Sequence, residues 1–301
     1  MVELPPDGVS VALITPMTPE GEVDHDAVGV LVGRAIEGGV TGLSPAGSTG
    51  EGARLSRAQR RSLVRQVVSL SAGLPVLAGV PFLAPDDALA EIAELAEDGA
   101  QAAMVSPPGY YSLTDDEIIS LFGELANRSP LPLVLYHVPG MARIGFSPAV
   151  VSRLAEHPRI VGLKDSGRDL EYLRTVVRGT ATSDFRVVTG ADTLLPESLA
   201  AGAVGAIAAS PNVAPSLAPG LYAAAVAGKH AVIAARRDQL LDLVSACRGV
   251  GFPAGWKAAA ALADACGLLP VPPGRPVDAA GLDRLRPVVE EVLGFLAPVR
   301  Q

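Results

Sequence analysis

Eight short apolar runs recur between residues 9 and 212, each continuous rather than alternating: VSVALITP (9–16), GLSPAG (42–47), PVLAGVP (75–81), AAMVSPP (102–108), LPLVLYHVP (131–139), RIVGLKDS (159–166), FRVVTGAD (185–192) and VGAIAASPN (204–212). A strand with one wet face alternates apolar and polar residues. An unbroken apolar run therefore implies cover on both faces, the condition of a parallel sheet wrapped in helices. Between the runs the period changes. Ser56 with Gln59 and Thr114 with Glu117 have the spacing of capping boxes. Leu63, Val64, Val67 and Val68 follow the first, and Ile118, Leu121, Phe122 and Leu125 the second, each set forming one helical face. Ser147 followed by Pro148 opens a third helix.

Strand and helix thus alternate eight times, which predicts an α/β fold, a (β/α)8 TIM barrel over 1–214; that architecture typically takes about 250 residues. From Pro215 the pattern is helical only, over Leu221 to Ala227, Ala231 to Ala246, Trp256 to Cys266 and Ala280 to Leu296. Residues 215–301 read as a C-terminal helical extension packed on the barrel. The alternative, a doubly wound Rossmann sheet, wants a Gly-rich turn after its first strand and an acidic residue about 20 positions on. ITPMTPEGE offers neither.

Composition narrows the function classes. With 49% hydrophobic and 19% charged residues the chain is far from the profile of disorder. A net charge of -8 argues against nucleic acid or an anionic membrane surface as partner. Gln66 to Pro85 and Ser198 to Gly228 carry no charge and are long enough to suggest membrane spans, but prolines break both, so they read as buried strands with their loops. Cys247 and Cys266 are the two cysteines, without CxxC spacing, and no basic-then-apolar leader opens the chain; the expected location is a reducing cytoplasm.

In a barrel of this kind the active site lies at the carboxyl ends of the strands. The residues there are Thr15 and Pro16, Ser48 to Glu51, Pro107 to Tyr111, Tyr136 and His137, Lys164 and Asp165, Gly190 and Asp192, and Ser210 to Asn212. Lys164 stands out, because Lys164, Lys229 and Lys257 are the only three lysines against 21 arginines. A lysine amine can lose its proton and act as a nucleophile, which a guanidinium cannot, and burial of an amine favours its neutral form. The competing reading is a strand-end lysine paired with a carboxylate at the barrel mouth. Tyr136 likewise reads either as a proton-transfer group or as a core aromatic whose hydroxyl finds a backbone partner. AGSTGEG is a Gly-rich turn whose amides could hold a carboxylate or phosphate, a signal that is weak alone. His25, His137, His157 and His230 are scattered, with neither HxH nor HExxH, so no metal and no cofactor is expected.

GSTGE after the second run, YHVP ending the fifth and GLKDS ending the sixth occur in that order and spacing. Together they make the chain resemble the dihydrodipicolinate synthase and N-acetylneuraminate lyase family of class I, imine-forming aldolases, from VALITPM through GAIAASPNV. The resemblance implies that Lys164 is the Schiff-base lysine and that Tyr136 moves protons to and from the imine. It implies that Ser48 and Thr49 bind the pyruvate carboxylate and link to the tyrosine, and that Gly190 and Ile207 line the pyruvate pocket. Tyr110 matches a tyrosine that in many members reaches into a neighbouring subunit's site, which implies a homo-oligomer, a dimer or a tetramer.

Two positions depart from the pattern. Met141 stands where dihydrodipicolinate synthases carry an arginine for the aldehyde's carboxylate, with Arg143, two residues on, as the candidate substitute; Gly109 replaces the first tyrosine of the pair before Tyr110. The expected activity is accordingly that of a pyruvate-type aldolase or lyase acting on a 2-oxo acid, such as a 2-keto-3-deoxy sugar acid or another hydroxy-oxo acid, and releasing or taking up an aldehyde. The alternatives are dihydrodipicolinate synthase, a dehydratase or decarboxylating relative, and a non-catalytic 2-oxo-acid sensor.

Overall fold

A computed structural model describes residues 3–81, 84–267 and 269–297. Its centre is one eight-stranded sheet: β1 (Gly8–Ala12), β2 (Gly42–Ser44), β3 (Leu77–Val80), β4 (Ala102–Val105), β5 (Leu133–His137), β6 (Ile160–Asp165), β7 (Arg186–Thr189) and β8 (Gly205–Ala208). Every neighbouring pair is parallel, in the order β2-β1-β8-β7-β6-β5-β4-β3. The two end strands meet through a parallel bridge between Leu43 and Val76, and the Gly79 N–H donates to the Pro45 carbonyl at 2.9 Å. The sheet is therefore closed into a barrel, and each of the eight apolar runs contributes one strand.

The runs extend past the strands because the chain leaves the ladder while still buried. After Ala12, the Ile14 N–H is taken by Asn212 Oδ1 at 3.1 Å and the Thr15 hydroxyl donates to the Gly50 carbonyl at 2.6 Å. These are loop bonds that serve the mouth of the barrel. Side chains alternate along each strand, so Ala12, Leu77, Met104, Val134, Tyr136, Val188 and Ile207 fill the interior as one cluster. The opposite faces join the larger cluster under the helices.

The helices begin where the capping residues stand. Asp24 caps α1 (His25–Glu37), Ser56 with Gln59 boxes α2 (Arg57–Leu70), Thr114 with Glu117 boxes α4 (Asp115–Arg128), Ser147 caps α5 (Pro148–Leu154) and Asp169 caps α6 (Leu170–Thr180). α3 (Pro85–Glu97) and α7 (Leu195–Ala200) complete the ring up to α8 (Leu217–Val226). α8 starts ahead of the expected Leu221 because Pro219 falls in its first turn, where a missing N–H costs nothing. The uncharged runs at 66–85 and 198–228 hold β3 and β8 as expected, but also the end of α2 and all of α8.

α9 (His230–Gly249), α10 (Ala254–Leu262) and α11 (Ala279–Leu296) follow. Leu217, Leu221, Leu240, Leu243, Leu285 and Val289 belong to the same buried cluster as the strands' outer faces. No described helix is long and apolar enough to cross a membrane.

Closure leaves no room for side chains at one crossing. Gly205 on β8 pairs with Gly8 on β1, and a Cβ at 205 would lie 2.0 Å from the Gly8 carbonyl oxygen. Backbone cannot yield as a flexible side chain does. Gly205→Ala is expected to lower the unfolding free energy by about 1–3 kcal/mol or more, the range of overpacked interiors, read as a shift in the urea midpoint. An unchanged midpoint would mean that β1 and β8 do not approach so closely.

Candidate active site

The β5–β6 ladder sets Tyr136 opposite Lys164. Both side chains enter the barrel mouth, and Lys164 Nζ stands 4.6 Å from the centre of the Tyr136 ring. Lys164 is only 4% exposed and lies in a cavity of about 360 Å³. No carboxylate forms an ion pair with its amine among the described residues, so the strand-end salt bridge is not what holds it. Gly190 borders its stem: a Cβ there would lie 3.1 Å from Lys164 Cε and 2.0 Å from Ser166 Oγ. Thr49, Tyr136, Gly190, Ile207 and Met141 line this same cavity.

Ser48 stands behind the ring. The Tyr136 hydroxyl donates to Ser48 Oγ at 3.2 Å, so the phenol links the cavity to the turn after β2. The competing reading of Tyr136, a hydroxyl satisfied by backbone, does not describe that contact. The turn is compact because its glycines leave no room for side chains: a Cβ at Gly52 would lie 1.8 Å from the Ala46 carbonyl oxygen and one at Gly50 2.6 Å from that of Leu13.

Glu51, in the left-handed region at φ 57°, anchors the turn. Its buried carboxylate pairs with Lys257 of α10 at 2.6 Å, accepts from Arg54 at 2.7 Å and from the Val271 N–H at 3.3 Å. Burial holds the Lys257 ammonium below its ordinary value, and the Glu51 charge opposes that fall. Lys257 also donates to the Leu269 carbonyl at 3.1 Å. Local sequence does not announce this pair. The acid in AGSTGEG and the second buried lysine were visible, but nothing local joins positions 206 residues apart.

His137 and Asp165, the residues next along β5 and β6, face away from the barrel interior, towards the helices. His137 accepts the Phe146 N–H on Nδ1 at 3.1 Å, which puts the proton of its neutral ring on Nε2, and its ring stacks on Tyr172 with centres 4.3 Å apart. Burial pushes its pKa down to about 4. Asp165 accepts the Gly167 N–H at 2.8 Å, and burial pushes its pKa up to about 6. At the end of β7 the Asp192 carboxylate accepts the Ser210 N–H at 2.9 Å. Asn212 donates to the Ala12 and Ala209 carbonyls, both at 2.8 Å, and so stitches the end of β8 to that of β1.

The remaining expected residues lie at the rim of the cavity or outside it. Met141 is on the rim, 54% exposed, while Arg143 is exposed and does not line the cavity. Tyr110 is 85% exposed and meets Tyr111 edge to face with ring centres 4.8 Å apart, outside the cavity. Two arginines not singled out in the sequence do line it: Arg168, four positions after Lys164, and Arg248 on α9.

A profile of the Dihydrodipicolinate synthetase family matches residues 5–291. Similar relatives include the 4-hydroxy-tetrahydrodipicolinate synthase of Roseobacter denitrificans, 35% identical over 237 residues, 78% of this chain and 81% of the relative. That of Rhodospirillum centenum is 35% identical over 261 residues, 86% and 89% of the two chains. Among solved structures, YagE, a prophage protein of the dihydrodipicolinic acid synthase family from E. coli K12 in complex with pyruvate, superposes with a TM-score of 0.90 at 26% identity, covering 95% of this chain and 98% of its own. The dihydrodipicolinate synthase of Bacteroides thetaiotaomicron reaches 0.91 at 26% identity, over 96% and 100%.

The buried groups His137 and Asp165 work against each other in acid. His137, with its folded pKa depressed, costs stability as pH falls from 6.5 towards 4, because the unfolded chain takes up a proton that the folded chain refuses. Asp165, with its folded pKa raised, does the opposite between about 6 and 3.8, where the folded chain alone holds the proton. The contributions offset in the parent. In Asp165→Asn the His137 contribution stands alone, so the variant's unfolding free energy is expected to fall more steeply between pH 6 and 4, by about 1.4 kcal/mol per pH unit. Parallel pH profiles for the two proteins would count against this opposition.

Proposed function

The chain belongs to the dihydrodipicolinate synthetase family and is a carbon–carbon lyase of that family, and from that premise we propose that it is a Schiff-base aldolase. It forms an imine between Lys164 and pyruvate and joins the three-carbon unit to, or cleaves it from, an aldehyde. The observation that carries the reading is the Lys164 amine beside the Tyr136 ring, with the phenol bonded onward to Ser48. A buried amine and a hydroxyl relay are the two parts that imine chemistry requires.

The steps follow from these groups. The neutral Lys164 amine attacks the ketone carbon of pyruvate, and the carbinolamine loses water to give the imine. Once protonated, the imine draws electrons from the neighbouring methyl carbon, which gives up a proton and becomes an enamine. That carbon attacks the aldehyde, whose oxygen takes up a proton as the new bond forms; water then releases the product and returns the amine. Tyr136 carries these protons to and from Ser48. Thr49 and the amides of the turn hold the pyruvate carboxylate, and Gly190 and Ile207 leave room for the three-carbon unit. Tyr110, exposed on a single chain, suits a place in a neighbouring copy's site within a homo-oligomer.

The test is borohydride reduction with pyruvate, which should leave a reduced three-carbon adduct on the peptide holding Lys164. An adduct on Lys229 or Lys257, or none, would sink the mechanism. Tyr136→Phe keeps the ring's packing and removes the relay, so turnover is expected to drop by about 10²–10⁴-fold; a variant near normal would return Tyr136 to the core.

A second reading, 4-hydroxy-tetrahydrodipicolinate synthase, is favoured by the names of the relatives. Against it stands Met141, whose thioether cannot make the charge-assisted pair expected there for a carboxylate. Condensation of pyruvate with aspartate semialdehyde is expected to be weak, and Met141→Arg to raise it. Efficient turnover by the unmodified protein would establish the second reading instead.

A further inference from the structure

We propose that Arg168 and Arg248 form an anion subsite in the outer part of the Lys164 cavity, which receives a carboxylate or phosphate at the far end of the aldehyde half of the substrate. The assignment rests on the imine reading above, which places pyruvate at the inner end. Among the described residues four charged side chains line the cavity: Lys164, Arg168, Arg248 and Asp192. Three are basic, in a chain whose net charge is -8. The buried amine marks the inner end, and the two arginines, both exposed, mark the solvent side.

The arginines elsewhere on the fold mostly have partners. Arg57, Arg60, Arg61 and Arg65 pair with acids of α3 and its cap, and Arg186 pairs with Glu3 and Asp7. Among the described residues neither the Arg168 nor the Arg248 guanidinium has a hydrogen bond or an ion pair. They are close enough that the Arg168 charge helps lower the Arg248 pKa, after burial as the main cause, while Asp192 opposes that fall. Asp192 forms no ion pair with either, and one of its oxygens is engaged by the Ser210 N–H.

Two guanidinium groups that repel one another across a cavity lose that repulsion when an anion lies between them, and guanidinium forks match carboxylate and phosphate oxygens. The backbone supports the placement. Arg168 has φ 62°, a left-handed conformation that costs a branched or long residue energy and that commonly accompanies function. Arg248 sits on the last turn of α9, four residues after Val244, which lines the same cavity. A helix C-terminus accounts for one cation there, but not for a second facing it from the loop after β6. Arg143, exposed and outside the cavity, does not supply this charge.

Trp256, the single tryptophan of the chain, lines the same cavity and reports on it directly. At low ionic strength, where screening is weakest, the full chain is titrated with inorganic phosphate and separately with succinate while tryptophan fluorescence is followed. A saturable change is expected, weakened about ten- to hundredfold in the double variant Arg168→Gln, Arg248→Gln. A response to phosphate alone assigns a phosphate, and to succinate alone a carboxylate. Arg248→Lys, which keeps the charge and loses the fork, should fall between, and it serves if the double variant does not fold.

Turnover supplies the second arm. The ratio of kcat/KM for glyceraldehyde 3-phosphate or glutaric semialdehyde, whose carboxylate lies one carbon further from the aldehyde than that of aspartate semialdehyde, over that for glyceraldehyde, each with pyruvate, should drop about ten- to hundredfold in the variant. No saturable response in the parent, an equal response in the variants, or an unchanged ratio overturns the subsite. Borohydride trapping of pyruvate runs beside both arms. Failure to trap with an intact anion response removes the imine reading and leaves an anion site, whereas trapping without an anion response removes the subsite alone.

Discussion

The pairing of β5 with β6 sets Tyr136 opposite Lys164, and the chemistry at the mouth of the barrel depends on that register. A slip of either strand by one residue would turn its own side chain, Tyr136 or Lys164, out of the interior, because successive strand residues face opposite ways. The register is held from both sides: β4 pairs with β5 and β7 with β6, so neither strand has a free edge along which to slide. Gly162, two residues before Lys164 on the inward face, lets β6 lie close to its neighbours, since a Cβ there would meet the Arg186 carbonyl oxygen at 2.4 Å. Rigid strands carry the amine and the phenol, and the loops above them are free to differ in what they bind.

The second dependence runs through Glu51. Its carboxylate joins the turn that bears Ser48 and Thr49 to α10 and to the segment at Val271, elements from opposite ends of the chain. Removing one member of a buried pair typically costs about 3–5 kcal/mol, because the other charge is left without a partner out of water. The position of the hydroxyls near Lys164 is thus coupled to the packing of the C-terminal helices. Those helices supply Val244, Arg248 and Trp256 to the cavity wall, and the connection between α9 and α10 supplies Phe252, so they shape the site as well as covering the barrel.

Lysine usage illustrates how far residue chemistry reaches. In a chain that makes its routine positive charges from arginine, a lysine marks a site with a particular requirement. Lys164 and Lys257 are both buried and meet different requirements. Lys257 is a compact ammonium that fits between Glu51 and the Leu269 carbonyl. Lys164 has no carboxylate partner among the described residues and stands over an aromatic face. Rarity singled out both equally; only their surroundings separate them.

Local pattern determined the architecture. Continuous apolar runs, capping boxes at Ser56 and Thr114 and the Ser147–Pro148 start are set by neighbours a few residues apart, and the corresponding strands and helices stand where that pattern puts them. Strand-end position likewise singled out Tyr136, Lys164, Gly190 and the turn at Ser48, because in a closed barrel all eight carboxyl ends meet in one ring. What the sequence left open were contacts between distant segments: Asn212 with Ile14, Glu51 with Lys257, and Arg248 brought by α9 to the cavity that also holds Arg168. The same holds for Met141 and Arg143, near neighbours in one loop, of which only the first lines the cavity. Such placements depend on how helices pack across the barrel mouth, where the energy comes from nonlocal burial, and no local periodicity encodes them.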